Sequence, residues 1–138
     1  MAKPISNKLK FLMALSKADL VLSRKFSMQG LGFGDLAVLN AIHQSPDGKI
    51  RRTDLADAVG LTASGVTRLL VPLEKIGVIR REIYERDARV SYAIMTRAGK
   101  ELFENSIKQA EAKCDDLISD EQAKKIDLAA TLLESLAK

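Results

Sequence analysis

Between Ser64 and Lys75 the chain repeats polar and apolar residues at a spacing that chemistry can use. At about 100° of turn per residue along a helix, Ser64, Thr67, Arg68, Val71 and Lys75 fall on one side. Val66, Leu69, Leu70 and Leu73 fall on the other. The first set offers hydroxyls, a guanidinium fork, a methyl-bearing side chain and an ammonium, groups that can meet base edges and phosphates. Thr62 stands where an N-cap is needed, and the N–H groups behind it can receive a phosphate. Further on, Glu85-Arg86-Asp87-Ala88-Arg89 places two arginines around an aspartate at a hairpin tip. An arginine held out on a rigid ribbon suits a narrow, electronegative minor groove. Asp87 is expected to orient a neighbouring arginine through a charge-assisted hydrogen bond.

Other chemistries find less to work with. His43 is the single histidine and Cys114 the single cysteine. Neither has the partners that a metal site or a disulfide framework requires. His43 reads as a capping or packing residue at a helix end. Cys114 reads as a small hydrophobe on an apolar stripe. No Ser/His/Asp set, glycine-rich phosphate loop or paired-carboxylate signature stands out. The expectation is a protein that is not an enzyme and needs no metal or cofactor.

The elements that must position these residues can be read around them. A helix-turn-helix requires a small residue in its first helix, a glycine at the turn and apolar residues at the crossing. Leu55, Ala56, Val59, Gly60, Leu61, Val66 and Leu69 supply these in one register, with helices at about 53–59 and 62–76. Gly77 stands at C′ of the second helix, and Pro72 inside it is expected to bend it. Residues 78–83 and 90–95 alternate and are β-branched, so they read as the two strands of a wing. Lys49-Ile50-Arg51 reads as a very short strand, preceded by a Ser45-Pro46-Asp47-Gly48 turn. Helices are expected at 8–28 and around Leu36, Leu39 and Ile42, and another is capped by Thr96. Its stripe Phe103, Ile107, Ala110, Cys114, Leu117 steps by 4, 3, 4, 3, a heptad seam suited to helices lying side by side. Ser119 and Gln122 form a capping-box pattern ahead of a last helix expected to bury Ile126, Ala130, Leu132, Leu133 and Leu136.

The fold class that results is mainly α with a small β-wing, in the order ααβααββαα. It is read as one domain over 1–138, with a winged helix-turn-helix lobe at 33–99. Dimerisation helices are read at 5–30 and 100–138.

Charge distribution agrees with this division. Residues 49–100 carry 11 basic and 6 acidic side chains, a net of +5, whereas 101–138 carry 5 and 9, a net of −4. Such asymmetry is expected where one region meets phosphate and another does not. No run approaches the roughly 20 apolar residues that span a bilayer, and the first residues lack a signal-peptide pattern. The expected location is cytoplasmic, without membrane contact.

Several segments together resemble the MarR family of bacterial regulators: Leu61-Thr62 through Arg68, Leu73-Glu74-Lys75-Ile76-Gly77-Val78-Ile79-Arg80-Arg81, Asp87-x-Arg89, and Met95-Thr96-Arg97-Ala98-Gly99. The motif resemblance covers about residues 50–100, and the order of elements extends it to the whole chain. It implies a homodimer joined by the terminal helices, a recognition helix in the major groove and a wing arginine in the minor groove. It also implies a repressor released from an inverted-repeat operator by a small lipophilic or aromatic ligand. Met13, Phe33 and His43 are the candidates for lining the ligand crevice. Some members of the family sense peroxide through a cysteine near the N-terminus, where this chain has none. A redox response would have to use Cys114. The alternatives are a winged helix used for RNA or protein contacts and an enzyme with a cleft that the sequence does not reveal.

Overall fold

A computed structural model describes residues 3–138. Helix α1 (Asn7–Lys25) starts where Ser6 Oγ accepts the Leu9 N–H at 3.2 Å and ends at the extended Phe26. The sequence pattern continued this helix to residue 28. Instead, Ser27–Met28 (β1) and Leu31–Gly32 (β2) pair as a minute antiparallel ribbon. Gln29 and Gly30 form its turn with φ of 55° and 85°, the pair of positive values that a two-residue type I′ hairpin demands. The chain reversal buries Phe26, Met28 and Leu31, and Phe26 meets Phe33 edge-on at 4.9 Å.

Helix α2 (Phe33–Gln44) is the axle of the lobe. Its Leu36, Val38, Leu39 and Ile42 are buried, and Asp35 accepts the Gly32 N–H at 2.9 Å to close its first turn. After a single 3₁₀ turn (Pro46–Gly48) come β3 (Lys49–Arg51), α3 (Arg52–Val59), α4 (Ala63–Lys75), β4 (Ile79–Ile83) and β5 (Ser91–Met95). At the 3₁₀ turn Asp47 shares the left-handed region with Gly48, a conformation that aspartate tolerates better than most side chains. The three strands form one antiparallel sheet in the order β3-β5-β4, with Ile50 opposite Ala93 and Ala93 opposite Arg81. The short strand β3 thus anchors the wing to the helix-turn-helix. Leu55, Val66, Leu70, Leu73, Val78 and Ile79 complete the core from α3, α4 and the wing's root.

Helix α5 (Arg97–Leu117) begins with Thr96 Oγ1 accepting the Gly99 N–H at 3.0 Å. Its heptad stripe packs inward: Phe103 and Ala110 are buried, and Ile107, Cys114 and Leu117 lie against the same core. The seam expected to join two helices side by side therefore serves this chain's own α2 and β1. Lys113, on the same helix, donates to the Lys25 carbonyl at the end of α1 and lies 5.9 Å from the centre of the Phe26 ring.

The last helix departs from expectation in two ways. It is split into α6 (Asp120–Ala123) and α7 (Ile126–Leu136), with Lys124 and Lys125 between them. The Ser119–Gln122 capping box closes reciprocally at 2.9 and 3.1 Å, so α6 starts as expected. Burial does not follow: Ile126, Leu132, Leu133 and Leu136 all remain exposed in the chain, and Ala130 is half-buried. Helix α1 likewise buries no residue, leaving Leu9, Phe11, Leu12, Met13 and Leu20 exposed. An apolar cavity of about 540 Å³ lies between the two helices, lined by Phe11, Leu12, Leu132 and Leu136. Among the described residues, no helix is long and apolar enough to cross a membrane.

Candidate nucleic-acid interface

Two helices and a hairpin make the site. Gly60, at φ 71°, ends α3 and turns the chain, and Leu61 N–H donates to the Ala56 carbonyl at 3.0 Å. Of the seven residues read as the helix-turn-helix signature, Leu55, Ala56 and Val66 are buried, and Val59 and Leu69 pack on the core. Leu61 is the exception, 39% exposed beside the turn. Leu70, outside that set, is fully buried and takes a central place in the crossing. The helix runs through Pro72 to Lys75, and Gly77 follows at φ 79°.

The outer face of α4 is as the helical geometry predicted: Ser64, Thr67, Arg68, Val71 and Lys75 are all exposed. Thr62 Oγ1 caps the helix by accepting the Gly65 N–H at 3.1 Å and lies 3.2 Å from Ser64 Oγ. Arg68 and Lys75 form no ion pair among the described residues, so both charges stand free for an outside anion.

The wing loop is a tight turn, with Tyr84 N–H donating to Val90 O at 2.9 Å and Val90 N–H to Asp87 O at 3.0 Å. Asp87 grips Arg89 with both oxygens, accepting from Nε at 3.1 Å, Nη2 at 3.2 Å and the backbone N–H at 3.0 Å. The side-chain hydrogen bonds from Arg89, and then its backbone bond, hold the Asp87 carboxyl below the usual aspartate range. The guanidinium itself remains 91% exposed, fixed in direction yet open to solvent. The expected pairing of Asp87 with a neighbouring arginine is thus present, and Arg89 is its partner. Arg86 is exposed on the same loop, beside Lys49, Tyr84 and Tyr92.

Two residues outside the predicted set prove central. Arg52, the first residue of α3, reaches across to α4. Its Nη2 donates to Thr67 Oγ1 at 2.9 Å, and its Nη1 lies 3.7 Å from Glu74 Oε1. Burial first, and Arg81 second, pull its pKa below the ordinary arginine value, and Glu74 opposes them. A cation in the first turn of a helix is unfavourable to the helix dipole, and that misplacement was the one trace Arg52 left in the sequence. Gly99 is the other. A Cβ there would lie 1.9 Å from the Val78 carbonyl oxygen, so only glycine lets α5 start against the wing's root.

The three residues suggested for a ligand crevice do not come together. His43 packs on Phe103 at 5.2 Å between ring centres and borders a cavity of about 540 Å³ between α2 and α5, with Asn40, Ile107 and Lys108. Phe33 is at the other end of α2, about 15 Å away along the axis. Met13 is on the exposed face of α1. Among the described residues, no group of three or more potential metal ligands is assembled, and Cys114 is a half-buried free thiol on the core side of α5.

A two-helix crossing followed by an anchored β-hairpin defines a winged helix-turn-helix. Residues 34–91 match the sequence model of the MarR family. Over that segment, from the start of α2 to the first residue of β5, the chain is similar to MarR family proteins. The match ends before Thr96 and Gly99, whose roles rest on the contacts just described. Several solved structures share the fold. AbsC, a MarR family transcriptional regulator from Streptomyces coelicolor, is 22% identical with a TM-score of 0.76, and 98% of each chain is covered. Sco3205 from the same organism, solved in complex with DNA, is 21% identical with a TM-score of 0.74, covering 97% of this chain and 90% of that one. PcaV, also from S. coelicolor and solved with its natural ligand, is 20% identical with a TM-score of 0.76 and 99% coverage of each. No curated protein sequence matches the chain.

Proposed function

We propose that the protein is a homodimeric transcriptional repressor that binds an inverted-repeat operator in duplex DNA. The observation that carries this reading is the pairing of two cationic readers on one rigid lobe. Arg68 and Lys75 stand unpaired on the outer face of α4, and Arg89 is aimed by Asp87 at the wing tip. In this reading Thr62, Ser64, Thr67 and Arg68 meet the major groove, Lys75 and Arg86 the backbone, and Arg89 the minor groove. The solved complex of Sco3205 with DNA supports it.

Two copies joined through residues 5–30 and 100–138 would cover the apolar surfaces of α1 and α7, which this chain leaves open. The Phe103–Leu117 stripe stays committed to its own core. Half-sites would then lie about one helical turn apart, roughly 34–36 Å. The effector in this reading is a small lipophilic or aromatic molecule, and the complex of PcaV with its natural ligand supports a ligand-bound state. The α2–α5 cavity beside His43 is the place for it, between the lobe and the dimer helices. Its effect would be a population shift in the spacing of the two recognition helices. An effector that releases DNA while the lobe spacing stays constant in solution scattering would disprove that route.

Competition binding on a randomised duplex, run at two salt concentrations, tests the DNA reading. Arg68→Ala should relax preference at one or two base pairs per half-site, by about 1–3 kcal/mol for a bidentate contact. Arg89→Ala should weaken binding and remove preference for A·T-rich flanks. Lys75→Ala should lower affinity evenly and flatten the salt dependence. If Arg68→Ala and Arg89→Ala leave affinity and preference unchanged in a folded dimer, the reading is wrong. Preference for an RNA over every duplex would favour the alternative use of the wing.

A further inference from the structure

Thr67, on the reading face of α4, has its polar group committed both along its own helix and toward α3. Its hydroxyl donates to the Ala63 carbonyl at 3.1 Å and accepts from Arg52 Nη2 at 2.9 Å. A hydroxyl has one proton and two lone pairs. The proton is directed back along the helix, and one lone pair is directed toward α3. What remains for the groove is the methyl group and one lone pair. Such a side chain cannot donate to guanine O6 or N7. It can pack against the methyl of thymine.

Arg52 is built to hold this arrangement. Its side chain is 18% exposed, and its fork spans Thr67 and Glu74, seven residues apart on one side of α4. The two contacts fix the rotation of α4 about its axis relative to α3.

We propose that Arg52 is a positioning residue for sequence selection, holding the Thr67 hydroxyl against α3 so that Thr67 reads a thymine through its methyl group. This rests on the DNA-binding reading above and assigns the base class met by one residue of that site. Arg52 acts through Thr67 and does not itself contact DNA.

Four dimeric variants test it, with binding selection on a randomised duplex and thermal melting of each. Thr67→Val keeps a methyl in the same place and loses the hydroxyl, so the thymine preference should survive within about two-fold. Thr67→Ser keeps the hydroxyl and loses the methyl, so discrimination at that one base pair should fall by about five-fold or more, the low end of what one base pair contributes. Arg52→Lys keeps the charge but not the fork, and should give the same loss at the same base pair with little change in affinity for unrelated DNA. In the Arg52→Lys/Thr67→Val double variant the preference should return, because valine presents a methyl without being held.

Loss of the thymine preference in Thr67→Val overturns the proposal, as does an unchanged profile in Arg52→Lys. An Arg52→Lys loss that persists in the double variant, or that falls equally on all sequences, shows Arg52 meeting phosphate and also overturns it. A wild-type protein that selects no duplex sequence rejects the DNA-binding reading itself. Wild-type selection with variants that behave otherwise rejects this inference alone.

Discussion

Replacing Gly99 by alanine should destabilise the protein, although alanine is the better helix former. The added Cβ would sit 1.9 Å from the Val78 carbonyl oxygen, 2.8 Å from its carbon and 3.0 Å from Val78 Cγ1. Ordinary contact begins near 3.4 Å, so α5 and the wing's root must separate by about 1.5 Å. The same carbonyl accepts the Thr96 N–H at 3.1 Å and shares the Thr96 hydroxyl proton, at 3.0 Å, with the nearer Gly77 carbonyl, and both bonds lie in the path of that movement. Forced overpacking costs about 1–3 kcal/mol. Losing one or two hydrogen bonds adds about 1 kcal/mol each. The helix preference for alanine returns about 1 kcal/mol. The net is a loss of about 1–4 kcal/mol, or roughly 3–15 °C in melting temperature for a chain of this size. Urea and thermal unfolding at one fixed protomer concentration measure it, since a dimer would make the midpoint concentration-dependent. Gly34→Ala is the control, because a Cβ there meets Leu69 Cδ1 at an ordinary 3.6 Å, and its stability should be unchanged or slightly higher. If Gly99→Ala matches or exceeds the wild type, the close approach of α5 to Val78 is not the constraint argued here.

Other expectations follow from the wing and from the terminal helices. The folded pKa of Asp87 lies below its ordinary 3.8. Its grip on Arg89 should therefore be fully present above that value and be lost only as pH falls through the lower, folded one. NMR titration of the Asp87 carboxyl and the Arg89 Nε–H reads this directly, and a midpoint at or above 3.8 would contradict it. Asp87→Asn should leave the lobe folded but weaken selection for narrow A·T-rich flanks, measured in the same competition assay as Arg89→Ala. Leu132→Asp places a charge on the open apolar face of α7. Sedimentation should show a shift toward monomer, since a fully buried leucine contributes about 1.5–3 kcal/mol at an interface. An unshifted dimer would place the contact elsewhere.

Helix α4 and the wing were legible in the sequence because local rules govern them. A 3.6-residue period sorted Val66, Leu70 and Leu73 from Ser64, Arg68 and Lys75. Gly60 and Gly77 marked turns where φ must be positive, and alternation marked β4 and β5. The Asp87–Arg89 pair was legible for the same reason, since two residues of separation in a tight turn bring charges together without help from the rest of the fold. Periodicity gives the apolar face of a helix but not what that face meets. The Phe103–Leu117 stripe of α5 looked suited to a helix alongside, and the fold supplies that helix as α2 of the same chain, with β1 beside it. The stripe of α7 looked buried and stays open. Only the folded chain could decide between them, because burial depends on which surfaces the connections bring within reach. Arg52 and Thr67 are 15 residues apart, and Gly99 is 21 residues beyond Val78. Their contacts exist because α3 crosses α4 and because α5 begins against the wing's root, and no local pattern in the sequence encodes a distance between elements.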